Sequence, residues 1–282
     1  MNLSSRIRIV WRRSKANINR LLGNAPPETP TAHGAASRVP YEIVEMITTH
    51  IAHDLHALKA FSLTCYSWYI SAAPHLHRTF SFGTFDKLRP LSKLHRLGLM
   101  PLIKEILVEQ YYYTWLAPQS FSRRDLHYFT AFANVQTLTL DSFTISRFIP
   151  GIERYFGHFS PTLRSLALLG PLCTPRQLSH FLSLFPNLDD IAIWEFAIRP
   201  LNTTISDTKL VPFSVPRLRG RLVLRGSNSV ETWTGLIASG GGLRFRYMDL
   251  WRVGRCAPVL FEACADTLET LRFHAADTLV GE

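Results

Sequence analysis

The chain has 282 residues, 18% of them charged, and a formal net charge of +10. Its length accommodates a small module and one larger domain, and no segment approaches the roughly 18 consecutive apolar residues of a membrane-spanning helix. The four cysteines are scattered, which argues against a disulfide framework, and the N-terminus lacks the apolar core of a secretory signal. We therefore expect an intracellular protein of the cytoplasm, the nucleus or both.

Residues 1–37 form a basic leader followed by a linker. They hold six basic residues and one acidic residue, so half of the net charge lies in the first eighth of the chain. The apolar residues of the leader fall on one helical face. They are Ile7, Val10, Trp11, Ile18, Leu21 and Leu22. We expect a disordered leader and a Pro- and Ala-rich linker over residues 25–37, with membrane contact, nucleic-acid contact or a mitochondrial presequence as alternatives.

A small helical module is predicted over residues 38–84. Pro40 precedes an apolar series whose spacing of three and four residues predicts one helical stripe. The series comprises Ile43, Val44, Ile47 and Ile51. A second helix is predicted from about Leu55 to Tyr66, with more apolar residues than so short a segment can bury alone. Some of this surface is therefore expected to contact a partner.

The order of residues in this module resembles the F-box. Val39, Pro40, Glu42 and Ile43 match the opening Leu-Pro-x-Glu-Ile pattern, with Val39 in place of Leu. The later parts of the pattern are matched by Ser62, Leu63, Cys65, Trp68, Pro74, Leu76 and Phe80. This resemblance implies docking onto the Skp-type adaptor of a cullin-RING ubiquitin ligase. The residues it assigns to adaptor binding are Pro40, Ile43, Ile47, Leu63, Cys65, Trp68 and Leu76. An ordinary helical hairpin with Trp68 in its core is the alternative.

From about residue 100 a second pattern repeats, in which an amphipathic helix alternates with a strand core spaced as L-x-x-L-x-L. The seven cores are Ile103-Ile106-Val108, Val135-Leu138-Leu140, Leu163-Leu166-Leu168, Leu188-Ile191-Ile193, Leu218-Leu222-Leu224, Phe245-Met248-Leu250 and Leu268-Leu271-Phe273. Their central residues lie 23 to 32 residues apart. Between two cores, Thr174, Pro175 and Gln177 predict a capped helix start.

The repeating pattern resembles degenerate leucine-rich repeats. The fold class that follows is α/β, with a short N-terminal F-box-like helical module and a leucine-rich-repeat-like solenoid with a curved parallel sheet over residues 85–282. A non-repetitive α/β domain is the alternative. The last core is followed by too few residues for another unit, so we expect an open C-terminal edge and possible truncation there.

Period-two alternation in these strands sends the residues between the core positions outward, onto the concave face of the predicted sheet. That face combines tryptophan, arginine and aspartate, a composition typical of protein-binding surfaces. The candidate target-binding residues are Asp141, Trp194, Arg225, Tyr247, Asp249, Trp251 and Arg272. The alternative for each aromatic residue is packing under an adjacent loop.

No catalytic, metal or cofactor site is predicted. His50, His53 and His56 are evenly spaced but lack neighbouring cysteines or paired carboxylates, and Gly240–Gly242 is not followed by the Lys-Ser/Thr of a phosphate loop. We expect a non-enzymatic adaptor that joins a Skp-type adaptor, and through it a cullin scaffold, to a protein substrate. No nucleic-acid partner is expected. The alternative is a non-ligase repeat scaffold or a membrane-associated tether localised by the basic N-terminal helix.

Overall fold

The computed structural model describes the chain in segments, and its contacts divide the chain into two compact units, residues 1–73 and 74–282. The described residues are 35–82, 89–109, 132–141, 152–171, 173–194, 216–226, 233–234, 236–237 and 242–274. The basic leader predicted over residues 1–34 lies outside them. None of the described helices is long and apolar enough to cross a bilayer.

Three helices follow one another at the start of the described chain: α1 (Tyr41–His50), α2 (Leu55–Ser62) and α3 (Tyr66–Leu76). The second helix predicted from about Leu55 to Tyr66 starts at Leu55 as expected but ends earlier, at Ser62. The helix ends in a tighter turn, in which the N–H groups of Leu63 and Thr64 donate to the carbonyls three residues earlier in the chain, at 3.2 and 3.0 Å. The start of α2 is fixed by Asp54, which accepts from the N–H groups of Ala57 and His56. These two bonds lower the pKa of the Asp54 carboxyl.

The second unit is built on a parallel sheet of eight described strands, whose order across the sheet equals their order in the chain. Its elements are β1 (Thr79–Phe82), α4 (Arg89–Arg96), β2 (Glu105–Glu109), β3 (Thr137–Asp141), α5 (Ile152–Phe156), β4 (Ser165–Leu169), α6 (Pro175–Ser183), β5 (Asp190–Trp194), β6 (Arg221–Arg225), β7 (Tyr247–Trp251), α7 (Ala257–Cys264) and β8 (Thr270–His274). Residues 79–82, predicted as part of the helical module, form β1, which pairs with β2 at one edge of the sheet.

Strict alternation along the strands separates a buried face from an outer face. In β3, β4 and β5 the second and fourth residues are buried and the others partly exposed. The core positions predicted from the L-x-x-L-x-L spacing are buried from Ile103 through Leu250. In β8 they are not, since Leu271 and Phe273 are 44% and 52% exposed. Burial of these rows stabilises the unit by about 25 cal/mol per Å² of apolar area removed from water.

Aromatic rings from the helices and loops continue the core beside the sheet. Phe156 meets Phe181 edge-to-face at 5.5 Å, and Phe181 meets Phe185 at 5.2 Å. Phe181 and Phe185 lie on α6 and on the turn after it, and both are fully buried. The start of α6 confirms the predicted capping box, because Gln177 N–H donates to Thr174 Oγ1 and Thr174 N–H donates to Gln177 Oε1.

The strands are joined at their starts by one hydrogen-bond arrangement that recurs. The carbonyl oxygen of Gln136 accepts from the N–H groups of Arg164 and Ser165, at 2.8 and 2.9 Å. In the same way, two successive N–H groups at the start of the next strand donate to each of five other carbonyls, those of Arg78, Lys104, Arg164, Gly220 and Arg246. Two asparagine side chains also hydrogen-bond to the turn before the preceding strand. The Asn134 amide donates to the carbonyl of Pro101, and the Asn187 amide donates to the carbonyl of Pro161. This recurrence sets a common register for the strands.

Gly220 is required by close packing at the start of β6. A Cβ at this position would overlap the Asp190 carboxylate and approach the backbone oxygen of Asp189 to 3.1 Å. The same carboxylate accepts the Arg221 N–H at 2.6 Å. We predict that Gly220→Ala lowers the free energy of unfolding by about 1–3 kcal/mol, measured by chemical denaturation. Gly157→Ala is the matched control, because a Cβ there meets nothing within 4 Å. Equal effects of the two substitutions would contradict this explanation.

Candidate functional site

The first unit exposes a group of large apolar side chains, here called the apolar helix surface. In α1 the buried positions are Val44 and Thr48, so the predicted stripe is divided and Ile43 and Ile47 lie on an exposed flank. Met46, beside them, is 68% exposed. The apolar helix surface comprises Tyr41, Ile43, Met46, Ile47, Leu55, Leu63, Tyr66 and Ile70. In the described chain, the other large hydrophobic side chains with comparable exposure are Leu271 and Phe273 of β8.

The residues assigned to adaptor binding differ in their surroundings. Pro40, Ile43, Ile47 and Leu63 are exposed, while Cys65 and Leu76 are partly exposed. Leu76 belongs to the second unit by the division of contacts. Met46 and Tyr66 were not assigned from the sequence, although their helical positions beside Ile47 and Leu63 were a usable signal.

Trp68 is held by contacts within the first unit. Its ring stacks on Phe61 with a centroid separation of 4.3 Å, and its Nε1–H donates to the carbonyl of Ala36 at 3.0 Å. Phe61 itself is buried. These contacts give Trp68 a structural role in the module, so its substitution would disturb folding as well as any interface.

On the outer face of the sheet, one row of side chains crosses β5 to β8 and is here called the outer row. Trp194, Arg225, Trp251 and His274 are partners in register, each the last residue of its strand. The guanidinium carbon of Arg225 lies 4.8 Å from the ring centroid of Trp194 and 4.7 Å from that of Trp251. Trp251 stacks on His274 at 3.5 Å with an interplanar angle of 11°. The row is therefore a continuous stack of rings and one cation.

A second group lies beside the outer row, centred on Tyr247 of β7. The guanidinium carbon of Arg221 lies 4.7 Å from the Tyr247 ring centroid and that of Arg272 lies 5.6 Å from it. Arg221 belongs to β6 and Arg272 to β8, the two strands on either side of the tyrosine. Both arginines thus make cation–π contacts with the Tyr247 ring, and both are exposed to solvent.

Asp249 connects the two groups. It is only 7% exposed although it belongs to the outer face. Its Oδ1 accepts from Trp251 Nε1–H at 2.6 Å and lies 3.4 Å from His274 Nε2, and its Oδ2 lies 3.7 Å from an Arg221 nitrogen. A buried carboxylate requires such partners because an unpaired charge in this position would be costly. Asp249 therefore fixes the orientation of the Trp251 ring.

The backbone after several strands holds the outer row in place. The residues that follow β4, β6 and β7 adopt left-handed conformations. They are Gly170 (φ 55°), Gly226 (φ 89°) and Arg252 (φ 54°). Their N–H groups donate to the carbonyls of Trp194, Trp251 and His274, at 2.7, 2.9 and 3.2 Å. Arg252 is not a glycine, yet it adopts a backbone conformation that L-residues rarely take. This strained residue follows Trp251 of the outer row directly.

The structure brings together six of the seven candidate target-binding residues. Trp194, Arg225, Tyr247, Asp249, Trp251 and Arg272 belong to the outer row or to the group around Tyr247. Asp141 is separated from Trp194 by a whole strand, because Leu169 of β4 lies between them in register. Arg221 and His274 were not assigned as target-binding from the sequence, and their proximity to Asp249 places them in the site.

The described residues contain no cluster of three or more His, Cys, Asp or Glu side chains that could hold a metal ion. Burial raises the pKa of the Cys173 thiol to about 12, and burial also raises the pKa of Cys256 and Cys264. These three thiols are therefore protonated and unreactive near neutral pH.

In comparisons with known proteins, no family model and no curated protein matched the chain.

Substitution of Asp249 tests whether it organises the outer row. We predict that Asp249→Ala lowers the free energy of unfolding by about 2 kcal/mol, because Trp251 Nε1–H loses its acceptor in a buried setting. Asp249→Asn keeps an acceptor oxygen and should cost about half as much, and denaturant titration measures both. Equal losses for the two variants would show that the negative charge, rather than the hydrogen bond, is what the site requires.

Proposed function

We propose that this chain is the substrate-recognition adaptor of a Skp-cullin-F-box type ubiquitin ligase. In this proposal residues 38–82 are an F-box that binds the Skp-type adaptor, and the leucine-rich-repeat-like unit binds a protein target. The observation that carries the proposal is the apolar helix surface, which occupies the same short segment as the F-box resemblance.

The exposure of these side chains favours a stable partner. Fully burying a large aliphatic side chain contributes about 1.5–3 kcal/mol, and a unit this small cannot bury all of its own. Leu63 is 61% exposed, and with Ile43 and Ile47 it belongs both to the apolar helix surface and to the residues that the F-box resemblance assigns to adaptor binding. A partner with an apolar groove would bury them together.

The sheet unit supports the second half of the proposal. Its outer face carries aromatic rings and arginines, the residue types most enriched among residues that dominate binding energy at protein interfaces. The strand order, parallel throughout and sequential, is the arrangement expected of stacked repeats. Such stacking places side chains from several strands on one surface.

In this function the chain supplies proximity, and its partners supply the chemistry. An adaptor holds a target near the ubiquitin-loaded enzyme and so converts a bimolecular encounter into an effectively intramolecular one. Burial keeps Cys173, Cys256 and Cys264 protonated, so these thiols are unsuited to carry ubiquitin.

Capture of the Skp-type adaptor tests the proposal. The parent chain, co-expressed with a Skp-type adaptor, should co-purify with it. Ile47→Asp and Leu63→Asp should each weaken capture by about tenfold or more, since a charge would be buried at the interface. These exposed positions are better probes than Trp68, whose contacts with Phe61 and Ala36 make its loss a folding defect.

Thr49→Asp is the matched control for Ile47→Asp. Thr49 is also exposed and lies in the last turn of α1, so the added charge disturbs the helix equally. It lies on the opposite flank from Ile43 and Ile47 and should leave capture unchanged. A parent chain that does not capture the adaptor, or variants that all bind equally, would contradict the proposal and favour a scaffold outside the ligase.

A further inference from the structure

We propose that the outer face of β6–β8 binds an acidic peptide segment, whose Asp or Glu carboxylates form ion pairs with the guanidinium groups of Arg225 and Arg272. This inference rests on the proposed function, because it names the chemistry of the target that the sheet unit would recognise. It is carried by the charge of the face, by the partners of each arginine and by the way the rings hold them.

The segments that contain β6, β7 and β8 are rich in arginine. Residues 216–226 and 242–274 contain nine arginines and four acidic residues. Arg221 is paired with Asp249 at 3.7 Å, and Arg246 with Glu269 at 3.7 Å. Among the described residues, neither Arg225 nor Arg272 has a carboxylate within ion-pair distance, and both are exposed. Two cations on this face are therefore open to an incoming anion.

Ring contacts hold these cations ready for binding. Arg225 lies between Trp194 and Trp251, and Arg272 lies over Tyr247. Stacking uses the flat face of a guanidinium and leaves its edge, which carries the N–H donors, free to bind a carboxylate through two parallel bonds. Because the side chains are already ordered, less conformational entropy is lost on binding.

The same contacts disfavour single-stranded nucleic acid. Proteins bind such strands by stacking the bases on open aromatic side chains. In register, Trp251 lies between Arg225 and His274, and Tyr247 lies between the strands of Arg221 and Arg272. Both sides of the Trp251 ring are thus occupied by groups of the chain itself, and two guanidinium groups lie at the Tyr247 ring. What remains accessible is a set of guanidinium edges, which suits anionic oxygens better than bases.

The arrangement also favours carboxylates over a phosphate group. A phosphate carries nearly two charges and is usually bound by several convergent donors. Here Arg221 is already engaged by Asp249, which leaves one unpaired guanidinium beside Tyr247 and one in the outer row. Arg225 in the outer row and Arg272 at Tyr247 each offer one guanidinium. Such separate single cations suit the singly charged carboxylates of successive side chains along a peptide.

Fluorescence anisotropy with the full chain tests this inference. The probes are a short labelled peptide of alternating Glu and Ser, the same peptide with Gln for Glu, a phosphoserine peptide of equal net charge, and an oligouridylate. The Glu peptide should bind about tenfold more tightly than the Gln peptide, and its affinity should fall as salt is added. Arg225→Gln and Arg272→Gln should each weaken it by about tenfold.

Arg164→Gln is the matched control. Arg164 is an exposed arginine just before β4 that already pairs with Asp189 at 3.8 Å, so its loss should leave peptide binding unchanged. Equal binding of the Glu and Gln peptides, tighter binding of the phosphoserine peptide or the oligouridylate, or an equal effect of all three arginine variants would overturn the inference.

Adaptor capture, measured on the same preparations, separates this inference from the proposed function. Peptide binding without adaptor capture would contradict the ligase role and leave the acidic-segment site standing. Adaptor capture without discrimination between the Glu and Gln peptides would contradict only the site.

Discussion

Parallel pairing in one register is the constraint on which the second unit depends. In six of the seven strand pairs the next strand is bound through one shared carbonyl at the start of the strand before it, and equivalent residues of successive strands form straight rows. Alternation then decides what each row does. Rows such as Leu138-Leu166-Ile191-Leu222-Met248 face the core, and the rows beside them face outward. The same register that builds the core also brings residues far apart in sequence into one outer row.

The outer face has its own internal organisation, and Asp249 is its centre. A carboxylate that is nearly inaccessible on an exposed face is stabilised by the hydrogen bond from Trp251 and by the nearby Arg221 guanidinium. Asp249 thereby holds the Trp251 ring, and Trp251 in turn helps to hold Arg225. The strained backbone at Arg252 lies directly after the same strand. Strain and a buried charge are both costs to stability, and their concentration here is typical of a binding surface.

Much of this fold could be predicted from sequence because its signals are local. The L-x-x-L-x-L spacing identified the cores, and the residues around Thr174 identified a helix start that the structure confirms. The sequence did not reveal the break between α2 and α3, because no glycine or proline marks Leu63 to Cys65. The core spacing also predicted the rows, since the central residues of successive cores pair in register despite the unequal lengths between them. It could not show which outward side chains are in contact, and so did not reveal that Asp249 is buried by its neighbours.

The two surfaces differ in the kind of binding that each can support. Apolar burial on the first unit is non-directional and hardly weakened by salt, properties that suit a long-lived complex. Arginines on the outer face of the second unit contribute mainly to association rate and selectivity, and their interactions weaken with ionic strength. Under the proposed function this difference has a use. The adaptor must remain bound through many cycles, whereas each target must be recognised and then released, so a charged face with preorganised cations serves the target better than a large apolar one.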